Sequence, residues 1–240
     1  MPRVARVVVA GLPHHVTQRG NNRQQVFFAD DDHHTYLQLL GEEARRYALD
    51  VLGYCLMPNH THLVVVPRDR QSLAKAIGRA HWRYTQAINQ RHGRSGHLWQ
   101  NRFYSAALDN AHALYALRYV DCNPVRAGLC SAAVSYPWSS AAAHASGRDP
   151  GGLLDLPGFR RRFQGRPDGG DWARALAAPL HEAQVMALRR ATHTGRPLAA
   201  ERALAKLEAS LGCRLRPLKV GRPRKDAGAD KRMAQAAPQK

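Results

Sequence analysis

A chain of 240 residues with 44% hydrophobic side chains can build a real core, as one large domain or as one domain with an appendage. No apolar run reaches membrane-spanning length and Met1-Pro2-Arg3 opens no apolar leader, so the expectation is a protein without a membrane partner. Lys and Arg number 36 against 18 Asp and Glu, a formal charge of +18 that points to a polyanion; nucleic acid comes before a lipid surface, because the basic residues are spread along the chain.

In chain order, residues 7–12 are an apolar piece behind Arg3 and Arg6. The alternation of His15-Val16-Thr17-Gln18-Arg19 predicts a first strand, ended by Gly20-Asn21-Asn22. Asp30-Asp31-Asp32 puts negative charge where a helix begins, and Tyr36, Leu39, Leu40 and Tyr47 keep helical spacing. Residues 50–57 read as a second strand, which Pro58-Asn59 turns into a third over 60–67, an antiparallel hairpin. Ser72 is the expected N-cap of a second helix that carries Leu73, Ile77, Tyr84 and Ile88 on one face and stops at Gly93. Its other face offers Lys75, Arg79 and Arg83, either solvated or set against phosphate.

The stretch from Gly96 to Tyr104 interleaves aromatic, polar and cationic groups. That suits a strand with an aromatic core face, a surface that stacks bases and pairs phosphates, or both. Asp109 can cap a third helix over about 111–123. Strand, helix, hairpin, helix, strand, helix predicts an α+β fold: a ferredoxin-like antiparallel sheet with helices on one face, over 1–144. Residues 145–171 are rich in Gly and Pro and read as a linker or loop. A basic helical region over 172–225 follows, with helices at 172–190 and 198–211 whose short connection allows a helix-turn-helix-like unit. Gly221-Arg222-Pro223 has the core tripeptide of a minor-groove AT-hook, and 226–240 is expected to be disordered. Cys55, Cys122, Cys130 and Cys213 form no C-x-x-C pair, which predicts reduced thiols in a cytoplasmic protein.

Two places carry chemistry. On a strand, His60 and His62 face the same way, half of a preformed metal site; the alternative is one core histidine and one near the surface. On the third helix, Tyr119 and Asn123 are i and i+4 and share a face. The Asn carbonyl oxygen can join two imidazoles around a hard or borderline divalent ion, and the Tyr phenol becomes a nucleophile once an ion or base assists it. Alternatively, Tyr119 is a half-buried amphipathic residue and Asn123 a helix stop before Pro124.

The segments Tyr54-Cys55-Leu56-Met57-Pro58-Asn59-His60-Thr61-His62-Leu63, Gly96-His97-Leu98-Trp99-Gln100-Asn101-Arg102-Phe103, Arg118-Tyr119 and Asn123-Pro124-Val125-Arg126-Ala127-Gly128-Leu129 occur together. With the opening Pro13-His14-His15-Val16-Thr17-Gln18-Arg19-Gly20-Asn21-Asn22-Arg23, this pattern resembles REP-associated tyrosine transposases of the single-tyrosine HUH nuclease superfamily. The resemblance implies the HUH nuclease fold, with His60, His62 and Asn123 as ligands of Mg²⁺ or Mn²⁺ and Tyr119 as the nucleophile. It implies cleavage and transfer of single-stranded DNA bearing REP-like hairpins through a 5′-phosphotyrosine. One phosphodiester replaces another, so no nucleotide cofactor is needed. Arg3, Arg6, Arg19, Arg23, Arg79, Arg83 and Arg102 are the candidate phosphate contacts, with Trp99 and Phe103 as stacking partners. Monomer or homodimer, and action of Tyr119 in its own or a partner's site, stay open. Two other readings are a DNA-binding regulator derived from a transposase and a zinc-type metal hydrolase.

Overall fold

The computed structural model describes residues 6–163 and 171–216. Arg3, positions 164–170 of the expected linker, Gly221-Arg222-Pro223 and the 226–240 tail lie outside the described residues. The first half runs β1 (His14–Arg19), α1 (Asp30–Arg46), β2 (Leu49–Met57), β3 (His60–Pro67), α2 (Ser72–Arg91), β4 (Tyr104–Ala107) and α3 (Asn110–Asp121). The strands form one antiparallel sheet in the order β2-β3-β1-β4, the ferredoxin-like arrangement. In its middle, Thr17 pairs with His62 and Arg19 with His60.

Alternation along β3 sorts its side chains. Leu63 and Val65 join Val16, Val51 and Leu56 in a core capped by α1 and α2, where Tyr36, Leu40, Leu73, Ile77, Tyr84 and Ile88 are buried. Asp32 holds that layer at one end: it accepts from the N–H groups of Phe28 and Ala29 and pairs with Arg91. Ser72 is the first helical residue of α2 rather than its N-cap. Asp69 accepts from the N–H groups of Gln71 and Ser72, and Ser72 Oγ accepts from the Asp69 N–H.

The other face is covered too, a correction to the single helical layer expected. Val64 and Val66 pack with Leu52, Leu114, Leu117 and Val120 into a second core, which explains why residues 63–66 of β3 are an unbroken apolar run. Two further differences concern chain segments. The stretch expected as a strand over 96–104 is mostly irregular, with one bridge from Trp99 to Gly20, and the edge strand starts only at Tyr104. The Gly/Pro-rich stretch is no free linker over its described part. After α4 (Asn123–Arg126) and α5 (Ala141–Ser146), α6 (Leu156–Phe163) buries Phe159 and Phe163 in the second core.

Helix α7 (Trp172–Ala177) stops before Pro179, so the expected 172–190 helix is two, the second being α8 (Glu182–Thr194). Val185 and Leu188 of α8 complete the second core. The connection to α9 (Glu201–Leu211) is no free helix-turn-helix loop: Leu198 donates to the Ala107 carbonyl and bridges Leu108 at the sheet edge. No described helix is long and apolar enough to cross a membrane.

Gly53 sits at a bulge in β2 where the second core closes. A Cβ there would lie 2.4 Å from Leu117 Cδ2 and 3.0 Å from Ser140 Oγ. Gly53→Ala is expected to destabilise the fold by about 1–3 kcal/mol through overpacking, read as a lowered urea midpoint.

Candidate functional site

On the second face of the sheet, β3 carries His60 and His62 ahead of Val64 and Val66, so the strand's alternation aims both imidazoles toward α3. Their ring centroids are 4.9 Å apart. Helix α3, capped by Asp109 accepting from the His112 N–H, brings the Tyr119 ring to 5.5 Å from His62 in the same chain. The Pro124 restriction leaves Asn123 helical, since Asn123 opens α4 and Pro124 falls at its first turn. Asn123 is buried and lines the same cleft, of about 680 Å³, with His60, His62 and Tyr119. Its Nδ2 finds no hydrogen-bond partner.

The residues at the last turns of α3 are locked by Asp121, which has no exposure. Its carboxylate accepts from Ser140 Oγ at 2.6 Å, His144 Nδ1 at 2.8 Å and Trp172 Nε1 at 2.8 Å. His144 Nε2 in turn lies 2.7 Å from the Leu52 carbonyl, so α3, α5, α7 and β2 meet at one buried anion.

The donor set fits a divalent cation. His60 Nδ1 lies 2.7 Å from Asn59 Oδ1, a carbonyl oxygen that can only accept, while Asn59 Nδ2 donates to the Arg23 carbonyl and fixes the amide's orientation. His60 therefore carries its proton on Nδ1 and keeps a lone pair on Nε2. Burial, with Arg19 and Arg189 adding to it, lowers the His60 pKa to about 4, and burial lowers His62 well below the ordinary value. Both are neutral, the form that ligates metals. The described residues hold no group of three or more His, Cys, Asp or Glu placed to bind a metal. A cation here would draw on two imidazoles and the Asn123 amide oxygen, completed by water or substrate oxygen. Such a set leaves coordination positions open, unlike a closed structural zinc site with four protein ligands.

Cations surround the phenol. Arg189 Nε on α8 donates to Tyr119 Oη at 3.2 Å, and the guanidinium carbons of Arg126 and Arg189 lie 5.3 and 5.7 Å from the Tyr119 ring centroid. With Arg19, three arginines line a cleft whose described lining has no Asp or Glu. Behind His62, His15 Nε2 lies 3.0 Å from His62 Nδ1, and His15 Nδ1 lies 2.7 Å from Thr192 Oγ1. Arg189, Thr192 and His15 were not singled out in the sequence. His15 had a signal, since it alternates with Thr17 on β1. Arg189 and Thr192 had none, standing some seventy residues beyond Tyr119.

The expected DNA contacts divide. Arg19 joins the tyrosine cleft, and Arg23 is exposed nearby, its carbonyl held by Asn59. Arg6 and Arg102 line a separate groove of about 690 Å³ beside α2. There Arg6 donates to the Phe103 carbonyl and lies 3.7 Å above its ring, and burial together with Arg102 lowers its pKa to about 10. Exposed Arg79 stands over Trp82, 5.1 Å from the ring centroid. Arg83 is not a free phosphate contact, because it pairs with Glu42 at 2.6 Å and Glu43 at 2.8 Å between α1 and α2. Trp99 and Phe103 are corrected as well. They are 9% and 8% exposed and belong to the first core, Trp99 stacked on His81, which leaves no open ring face for a base. The aromatic that solvent reaches in this groove is Trp82, 55% exposed.

Residues 8–123 match the family model described as IS200-like transposase. Among solved structures, the chain resembles a REP-associated tyrosine transposase bound to a REP hairpin. Identity is 19% over 65% of this chain and 90% of that one, with a TM-score of 0.53, a likeness of fold. A crystal structure described as a transposase from Deinococcus radiodurans is 21% identical over 53% of this chain and 92% of that one, at a TM-score of 0.35. No curated protein matches the chain.

Burial lowers the pKa of His14 to about 4 and of His15 and His81 to about 3, against 6.5 for a free imidazole. The unfolded chain binds these protons first, so the stability they contribute is complete above about pH 6.5 and is lost as pH falls toward 4 and then 3. Each histidine should add a slope of about 1.4 kcal/mol per pH unit within its window, measurable as urea-unfolding free energies compared between pH 7 and pH 5.

Proposed function

From the match of residues 8–123 to the IS200-like transposase family model, we propose that the chain is a member of that family and that it cleaves and rejoins single-stranded DNA bearing a REP-like hairpin, with Tyr119 as nucleophile. The observation that carries this reading is the 5.5 Å approach of the Tyr119 ring to His62 within one chain. It supports an active site assembled by each subunit for itself. The similar fold of a transposase bound to a REP hairpin supports a hairpin substrate.

His60, His62 and Asn123 would hold the divalent ion, which when bound polarises the scissile phosphate and offsets the charge developing on it. Tyr119 Oη attacks the phosphorus. An O–P bond to the phenol forms, the bond from phosphorus to the 3′-oxygen breaks, and the released 3′-oxygen takes up a proton. The phenolic proton leaves to water in the cleft. Arg189 donates to the phenol oxygen and stabilises the phenolate as it forms. Arg19 and Arg126 draw the DNA backbone into the cleft, and the groove by Arg6, Arg79 and Arg102 offers further phosphate contacts with Trp82 to stack on. The product is a 5′-phosphotyrosine, and attack by a 3′-OH reverses the step with no energy source.

One observation favours a second reading, a DNA-binding regulator derived from a transposase: Tyr119 is only 2% exposed. A phenol so covered has to be uncovered before it can attack.

The two readings part in one experiment. The protein is incubated with labelled hairpin oligonucleotides and Mn²⁺ and run on a denaturing gel. A covalent protein–DNA band is expected, absent in Tyr119→Phe while hairpin binding persists, and reduced about a hundredfold in rate by Arg189→Gln. No band from the unaltered protein leaves the regulator. Arg19→Ala should weaken binding across all sequences and lower the salt slope by about one unit.

A further inference from the structure

We propose that Thr192 and His15 are positioning residues that fix His62 in the tautomer whose Nε2 is a free lone pair. The inference rests on the reading of His62 as a metal ligand, and it gives α8, which lies beyond the family match, a part in building that ligand.

Thr192, His15 and His62 form a buried hydrogen-bonded chain whose protons can be counted. Thr192 is 2% exposed, His15 1% and His62 6%. Thr192 Oγ1 has one hydrogen and two neighbours: the Leu188 carbonyl at 2.8 Å and His15 Nδ1 at 2.7 Å. A carbonyl oxygen can only accept, so a single hydroxyl orientation satisfies both contacts. The hydroxyl donates to Leu188 and accepts from His15, whose proton therefore stands on Nδ1. A second proton on His15 would create a buried cation whose hydrogen-bond partners are a hydroxyl and another imidazole, neither of them an anion. His15 Nε2 is then a lone pair, and at 3.0 Å from His62 Nδ1 it accepts the His62 proton. His62 is left with its lone pair on Nε2, matching the state that Asn59 imposes on His60.

His15 and His62 lie edge to edge, 9° between planes with centroids 5.2 Å apart, which sets the two nitrogens in line for this hydrogen bond. Without the hydroxyl, His15 can place its proton on Nε2 and donate to His62 Nδ1. That moves the His62 proton onto Nε2, where it blocks a cation. The chain inverts as a unit, so the residue that sets its direction is the one at its end. Second-sphere partners of metal-bound histidines act in this way, and their loss typically weakens metal affinity about 10–100-fold.

The test uses full-length, ¹⁵N-labelled, metal-free protein. Long-range ¹H–¹⁵N correlation spectra report which ring nitrogen of His62 carries the proton, with the signals assigned by their loss in His62→Gln. The expected result is protonated Nδ1 in the unaltered protein, and a mixed or Nε2-protonated ring in Thr192→Val. Calorimetric titration with Mn²⁺ should show affinity about tenfold weaker in Thr192→Val, with Thr192→Ser restoring both spectrum and affinity. An Nε2-protonated His62 in the unaltered protein overturns the proposal, whatever the Thr192 variants show. So does a Thr192→Val protein with unchanged tautomer and affinity. If the unaltered protein binds no Mn²⁺ at all, the metal-dependent reading fails, while the spectra still decide the tautomer on their own.

Discussion

Everything near the chemistry hangs on a carboxylate that never meets water. Asp121 stands two residues after Tyr119 and two before Asn123, and a buried anion there is tolerable only if donors surround it. A serine and a histidine at the start of α5 and a tryptophan of α7 supply those donors. His144 sets both ring nitrogens against oxygen atoms, Nδ1 on the Asp121 carboxylate and Nε2 on the Leu52 carbonyl, and so ties the anion to β2. The consequence is geometric. The last turn of α3 cannot rotate without stranding these groups, and the phenol and the amide ride on that turn.

The arginines give the cleft a cationic wall, while the imidazoles within it are held uncharged by burial. These are complementary assignments. A guanidinium keeps its charge under nearly all conditions and can pair with phosphate, whereas a metal ligand needs an open lone pair. The excess of basic residues in the composition is therefore not an undifferentiated coat. Arg83 is spent on two glutamates between helices, and Arg6 caps an aromatic ring.

What could be read in the sequence follows from how local each feature is. The hairpin of β2 and β3, the acidic start of α1 and the apolar face of α2 are written in periods of two or of 3.6, and the structure has them. Tyr119 and Asn123 share a face because they are one turn apart. Part of the second helical layer was hidden, since α6 comes from a stretch whose glycines and prolines look like a linker and is only eight residues long, while α7 and α8 were expected as one helix whose place against the sheet has no local sign. Trp99 and Phe103 misled because aromatics next to arginines look alike whether they stack on bases or fill a core; only burial separates the two. Arg189 and Thr192 carried no local sign, as their partners are brought near by the fold alone.

One feature of α8 bears on when the cleft comes into being. The strands, the paired imidazoles and the phenol emerge from the ribosome well ahead of residues 182–194, and domains fold as their segments become available. A nascent or prematurely terminated chain ending in the linker-like stretch would have the sheet and the phenol, but not the guanidinium that touches Tyr119 or the hydroxyl that meets His15. Completion of the cleft is thereby deferred until α8 has been made, and any shorter polypeptide lacks part of its wall.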